Sequence, residues 1–203
     1  MDYEMLVNKS NPLTKDYKPE ELYEIHEPTS EKLDKSYINR LNLVALIGFK
    51  LMQHEALKEG YEFYIDSSYR TYEYQERLFN QNVIDNGLEH AKSYVAIPGT
   101  SEHQTGLAID IVISKGKELQ ETFDDESPEA IWLFNNAHRF GYILRYPIGK
   151  QEITGYSYEP WHFRFVGTEL ATLLHENGET LEEYYNRKKT EQTEMKLNLK
   201  RDN

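Results

Sequence analysis

The chain contains no cysteine, which excludes a disulfide framework, a thiolate zinc knuckle, an iron–sulfur cluster and a cysteine nucleophile. Any metal must therefore sit on His, Asp or Glu. No stretch approaches the ~20 apolar residues of a membrane span, and Met1-Asp2-Tyr3-Glu4 lacks the basic-then-apolar order of a secretory signal. The expected location is the cytoplasm, with the cell envelope as the alternative if an N-terminal signal or anchor has been trimmed. Positive charge is scarce, with 23 Lys and Arg against 35 Asp and Glu and a net charge of −12. Binding a phosphate backbone relies on clustered cations that displace counterions, so no nucleic-acid partner is expected.

What is present fits one globular domain. The 203 residues are enough for a single core, and the 13% aromatic content, led by 16 Tyr, argues against wholesale disorder. The expected organisation is an N-terminal arm over residues 1–35 that packs on the core, a single domain over 36–186, and a polar tail over 187–203. A monomer is the default. Apolar residues at helical spacing from Ser36 to Glu59 predict the first helix, with Gly60 suited to its left-handed C-terminal cap. Tyr61 to Ile65 alternates as a strand. Thr71 can cap a helix running to Asn86, where Gly87 stops it. Leu107 to Ile113 is an apolar, β-branched strand around a lone acid, Asp110. A polar loop follows from Ser114 to Ser127.

Ser127-Pro128-Glu129 opens a helix that Gly141 closes. Strands are expected at Tyr142–Arg145 and at Trp161–Phe165, where alternation puts His162 and Arg164 on the face opposite Trp161, Phe163 and Phe165 and turns His162 towards a cleft. Thr180-Leu181-Glu182-Glu183 is a capping box for the last helix. Without the regular βαβ rhythm of a parallel sheet, the expected fold is α+β, a small, mainly antiparallel sheet flanked by helices around a central cleft.

Two short segments carry the chemistry. His103 and Asp110 lie seven residues apart with Gly106 between them for a turn into the strand; imidazole and carboxylate suit zinc, although such a pair alone also fits a structural hydrogen bond. Glu159-Pro160-Trp161-His162 adds a second His and a carboxylate three residues before it. His103, Asp110 and His162 together make three ligands that leave a fourth position vacant, as in catalytic zinc sites. Glu159, beside a ligand but not one itself, is placed as a general base. Arg70, after Ser67-Ser68-Tyr69, can hold a carbonyl, an oxyanion or a carboxylate. Gln75 leans from the following helix towards the same pocket, Ser101 is a candidate donor to substrate, and Tyr146 can line a cleft. His138 reads as a packed histidine at the core edge.

Other architectures fail. His26, His54 and His175 are each followed by Glu, but none has the second His of a zinc-protease helix. Ser114-Lys115-Gly116-Lys117 formally matches Ser-x-x-Lys, but the chain has neither Ser-Asp-Asn nor Lys-Thr-Gly, which leaves the match accidental.

Ser101-Glu102-His103-Gln104-Thr105-Gly106-Leu107-Ala108-Ile109-Asp110 matches Ser-x-His-x-x-Gly-x-Ala-x-Asp, and Glu159-Pro160-Trp161-His162 matches Glu-x-Trp-His. With these motifs and Ser68-Tyr69-Arg70-Thr71, the chain resembles the zinc D-Ala-D-Ala peptidases of the VanY and VanXY type and the LdcB-type L,D-carboxypeptidases, over about residues 5–170. The resemblance implies one Zn2+ per chain on His103, Asp110 and His162, with Glu159 as base. It implies Arg70 at the scissile carbonyl, and Gln75 and Ser101 at the substrate's C-terminal end. The implied activity is a D,D-carboxypeptidase that removes D-alanine from peptidoglycan stem pentapeptides or their precursors. The alternatives are an L,D-carboxypeptidase trimming tetrapeptides, a VanXY-like enzyme with added dipeptidase activity, and, more remotely, a non-catalytic binding module for cell-wall peptide. The pure dipeptidases commonly carry Asp-x-Tyr-Arg at the arginine loop; here Ser67 holds the first of those positions, which favours a carboxypeptidase.

Overall fold

The computed structural model describes residues 2–26, 38–115, 118–120 and 122–201. The elements, in chain order, are β1 (Leu22–Ile25), β2 (Asn39–Asn42), α1 (Leu43–Lys58), β3 (Phe63–Ser67), α2 (Tyr72–Asn86), α3 (Leu88–Tyr94), β4 (Ala108–Lys115) and β5 (Glu118–Leu119). There follow α4 (Pro128–Asn136), β6 (Tyr142–Leu144), α5 (Gln151–Thr154), β7 (His162–Phe165), α6 (Thr168–Asn177) and α7 (Leu181–Arg201). The main sheet has the order β3-β4-β7-β6 with β5 paired to β4, and β1 and β2 form a separate hairpin-like pair; all of these pairings are antiparallel. The expected α+β class with a small antiparallel sheet is what the chain adopts.

The boundaries follow local chemistry. Asn42 ends β2 and caps α1 through its side chain, which accepts from the Val44 amide, so the helix expected from Ser36 begins only at Leu43. The correction has a physical cause: residues 39–42 find strand partners in β1, part of the segment read as an irregular arm. Ser36 itself lies outside the described residues. Thr71 caps α2 as expected, and Ser127 caps α4 with Pro128 in the first turn. Gly87 does end α2, but the chain re-enters a helix at once as α3. The loop expected from Ser114 to Ser127 contains the two-residue strand β5, too short to carry a periodic signal. Thr180 and Glu183 form the reciprocal capping box at the start of α7, whose residues from Lys188 to Leu199 are exposed along the segment read as a tail.

One face of the sheet is the core. Phe63 and Ile65 of β3, Ile109 and Ile111 of β4, and Phe163 and Phe165 of β7 pack against Ala45, Phe49, Met52 and Ala56 of α1 and against Trp132 and Leu133 of α4. Burying each of the Phe, Ile, Leu and Met side chains among them contributes roughly 1.5–3 kcal/mol relative to exposure. Gly141 allows a close approach: its φ is +86°, and a Cβ there would lie 2.5 Å from the Phe165 ring. Trp161, expected to share the face of Phe163 and Phe165, lies just before β7 and is 39% exposed. All four β7 residues are buried, so the face opposite the core is covered as well.

Candidate metal and catalytic centre

The strand register builds the second face. Asp110 of β4 pairs with His162 of β7, and Ala108 with Arg164, so His162 and Arg164 lie beside the face that carries Asp110. On the other side of β4, Ile65 pairs with Ile111, but Ser67 pairs with Asp110. Two residues of β3 thus span one residue of β4, and this bulge turns Ser67 from the core side to the face of Asp110. Ser67, Asp110 and His162 therefore stand in a row across three strands. Arg70, just beyond β3, donates from Nε and Nη2 to Ser67 Oγ at 3.0 and 2.7 Å and from Nη2 to Asp110 Oδ2 at 2.7 Å.

His103 arrives from a 3-10 turn over Glu102–Thr105 that Gly106 terminates. Gly106 has φ +69°, the left-handed region, and a Cβ on it would meet Leu22 at 2.8 Å, so the motif glycine answers both a backbone and a space requirement. His103 Nδ1 lies 2.7 Å from the Ser68 carbonyl oxygen, which can only accept. The proton is therefore on Nδ1, and Nε2, 3.2 Å from Asp110 Oδ2, presents its lone pair. His162 Nδ1 lies 3.0 Å from Asp110 Oδ1. One ligand atom from each of His103, Asp110 and His162 fits within 4.8 Å of the others. Two imidazoles and a carboxylate, with one imidazole lone pair already aimed inward, suit zinc in a site open at the remaining position.

Electrostatics agree with that donor set. Burial, with Arg70 nearby, lowers His103 to about 4, which keeps the ring neutral. Burial also disfavours the charge on His162, but the Asp110 and Glu102 carboxylates beside the ring outweigh it and raise it to about 9, so its proton must leave when Nδ1 ligates. Burial alone would raise Asp110; the two histidines and Arg70 instead hold it well below the usual carboxylate range. Burial pushes the Glu159 carboxyl up to about 7. Its Oε2 is 3.8 Å from His162 Nδ1, too far to replace a hydrogen bond and near enough to serve the same small volume. Backbone bonds from Glu159 N to the Tyr146 carbonyl and from His162 N to the Glu159 carbonyl fix the turn that carries both side chains.

All eight residues singled out from the sequence, His103, Asp110, His162, Glu159, Arg70, Gln75, Ser101 and Tyr146, line one cleft of about 390 Å3. Gln75 is buried, donates from Nε2 to the Ala96 carbonyl, and keeps Oε1 without a partner among the described residues. Tyr146 forms a wall, its ring centroid 4.9 Å from that of His162, and burial raises its phenol well above the usual value. The cleft continues past Leu78, Gln81, Asn82 and Asp85 along α2. His138 stands apart, stacked on His175 at 4.1 Å. Ser114 lies on β4, while Gly116 and Lys117 fall outside the described residues.

Sequence reasoning missed Glu102. It is 1% exposed, and its Oε1 accepts from Arg145 Nε at 2.8 Å and from Arg164 Nη1 at 2.7 Å. Arg145 also donates from Nη1 and Nη2 to the carboxylate of Glu182 in α7, and Arg164 donates to the carbonyls of Tyr3 and Met5. A carboxylate directly before a candidate ligand was a usable signal, but its two arginine partners are distant in sequence.

Residues 39–168 match the family model described as VanY, D-alanyl-D-alanine carboxypeptidase. The chain is 43% identical over 187 residues to a putative carboxypeptidase, YodJ, of Bacillus subtilis, covering 91% of this chain and 67% of that one. A solved structure of the LdcB LD-carboxypeptidase superposes with a TM-score of 0.78 at 40% identity, covering 89% of this chain and 84% of that one. A mutant form of the vancomycin resistance D,D-pentapeptidase VanY, solved in complex with Zn(II), gives a TM-score of 0.76 at 34% identity, with 91% and 99% covered.

Proposed function

The chain belongs to the VanY D-alanyl-D-alanine carboxypeptidase family, and from that premise we propose that it is a zinc-dependent D,D-carboxypeptidase that removes the C-terminal D-alanine from peptidoglycan stem pentapeptides or their precursors. The observation that carries this reading is the gathering of His103, Asp110 and His162 within 4.8 Å, with the buried Glu159 at their edge in the same cleft. His103 through Nε2, Asp110 and His162 through Nδ1 are the residues to hold one zinc. The bound ion supplies Lewis acidity, which acidifies water and polarises the scissile carbonyl.

The remaining work falls to side chains. Glu159, poised near neutrality by its burial, takes the proton of the attacking water and passes it to the leaving amine of D-alanine. Arg70, braced by Ser67 and Asp110, brings a fixed cation to the carbonyl oxygen as its negative charge grows. Gln75 offers its unpartnered Oε1 to a substrate N–H, and Ser101 adds a hydroxyl at the substrate's C-terminal end. Ser67, where the dipeptidases carry an acid, is occupied by the Arg70 guanidinium and gives a free dipeptide ammonium no carboxylate, which supports carboxypeptidase over dipeptidase action.

One observation favours a second reading. The LdcB LD-carboxypeptidase structure shares 40% identity with the chain, against 34% for the VanY structure, which supports an L,D-carboxypeptidase acting on tetrapeptide stems. Mass spectrometry of products from matched pentapeptide and tetrapeptide substrates, with zinc-loaded and chelated enzyme, separates the two. Metal-dependent loss of one alanine from the pentapeptide alone is the expected result. Loss from the tetrapeptide alone replaces it with the L,D reading, and no loss from either overturns both.

A further inference from the structure

Two buried polar atoms face each other without partners. His162 Nε2 and Glu102 Oε2 are both sealed from solvent, neither makes a hydrogen bond among the described residues, and they stand 3.7 Å apart. A buried donor or acceptor left unsatisfied carries its full desolvation cost, so such a pair calls for an explanation. The other Glu102 oxygen is taken up by Arg145 and Arg164, which fix the carboxylate from behind and leave only Oε2 to face the imidazole. At 3.7 Å the two atoms stand just beyond hydrogen-bond length, ~2.7–3.2 Å.

We propose that Glu102 is a positioning residue for His162: its Oε2 accepts from Nε2–H, which holds the ring's orientation and leaves the Nδ1 lone pair to bind the metal. This inference rests on the metal reading above. An ionised carboxylate can only accept, so the proton it faces must be on Nε2. The two histidines of the site then use opposite nitrogens, each fixed by a partner on its far side: a backbone carbonyl for His103 and a buried carboxylate for His162. Asp110 cannot perform this service for His162, because its Oδ1 lies on the Nδ1 side, where the metal belongs. The Arg145–Glu182 pair makes the same buried network one residue longer without touching His162, so it separates support of the fold from support of the ring.

The test compares Glu102→Gln with Glu182→Gln in the full chain. In Glu102→Gln the amide oxygen is drawn to the two guanidiniums, which turns the NH2 towards His162 and sets donor against donor unless the ring moves its proton to Nδ1. Competition with a chromophoric chelator, on protein shown to be folded by circular dichroism, is expected to give a 10–100-fold loss of zinc affinity for Glu102→Gln and wild-type affinity for Glu182→Gln. Nitrogen-15 NMR of the zinc-loaded wild-type protein is expected to find the His162 proton on Nε2 and the His103 proton on Nδ1. A folded Glu102→Gln variant that binds zinc as tightly as wild type, or a His162 proton on Nδ1, overturns the assignment. If Glu102→Gln does not fold, Glu102→Asp, which keeps the charge and withdraws the carboxylate from the ring, is expected to lose zinc affinity in the same way, and wild-type affinity in that variant overturns the assignment. Failure of the wild-type protein to bind zinc at all overturns the metal reading itself, a result distinct from either of these.

Discussion

Asp110 and His162 are direct partners across the β4–β7 ladder, with Asp110 Oδ1 3.0 Å from His162 Nδ1, so the sheet itself sets the spacing of two of the three candidate ligands. These two need no loop closure to bring them together, and the turn ended by Gly106 adds His103. The His103→Ala and His162→Ala variants should therefore stay folded and lose zinc, each by more than the 10–100-fold that loss of an outer partner produces. Elemental analysis of purified protein checks this, and a His162→Ala variant that retains one zinc per chain would remove His162 from the ligand set.

Glu159→Gln should keep its zinc and lose about 10²–10⁴-fold in kcat, with little change in KM, because Gln preserves the shape but cannot take a proton. Steady-state kinetics on the preferred stem peptide decide the matter. Turnover at the wild-type rate would show that another group is the base.

The same substitution has a stability signature in the metal-free protein. Glu159 is raised from its ordinary 4.5 to about 7 on folding because it is buried, with its side chain 20% exposed. Between these two values the folded state binds more protons than the unfolded state, so stability falls as pH rises from about 4.5 to 7. Gln, a permanent mimic of the protonated acid, escapes this loss. Urea denaturation should show Glu159→Gln matching the wild-type protein near pH 4.5 and exceeding it by about 3 kcal/mol above pH 7. Equal stability at all pH values would contradict the burial-driven shift.

Arg70 meets Ser67 Oγ with two nitrogens and Asp110 Oδ2 with one of them. A lysine ammonium is a point charge and cannot reproduce that fork. Arg70→Lys is expected to lower kcat by about 10²–10³-fold while zinc content is unchanged. A fall in zinc content equal to the fall in activity would mean that Arg70 serves Asp110 and not the substrate.

Gly141→Ala tests the packing behind the site. The added methyl group would lie 2.5 Å from the Phe165 ring on a backbone of φ +86°. A cost of roughly 1–3 kcal/mol is expected from the overpacking, with the strained backbone adding to it. Chemical denaturation measures it. An unchanged midpoint would imply that Phe165 can give way.

Much of this architecture was legible because local chemistry and global fold agree. Thr71 and Ser127 cap the helices that their residue types announce, and Asp110 stands out as the lone acid in an apolar strand. Periodicity failed where a partner decided the outcome. Residues 39–42 carry a helical pattern but join β1, which only the fold brings alongside. The helix α6 has its signal in Leu170, Ala171 and Leu174 before the left-handed Gly178, but its N-cap is Gly167, with no capping side chain to announce it. The eight site residues were visible as motifs because each is chemically conspicuous. Glu102 was not, since a carboxylate 1% exposed makes sense only beside Arg145 and Arg164, 43 and 62 residues further along the chain.

The buried network around Glu102 also sets an order of assembly. Arg164 reaches back 161 residues to the Tyr3 carbonyl, and Asn8 reaches forward 174 residues to Glu182, which in turn holds Arg145. Contacts of such sequence separation close the longest loops in the chain and carry the largest closure entropy. During synthesis the sheet residues that carry Asp110 and His162 emerge before Glu182 does. A nascent chain can thus lay down its strands while Arg145 still waits for one of its two carboxylates. The cleft reaches its final electrostatic state only when the beginning of α7 has left the ribosome and docked.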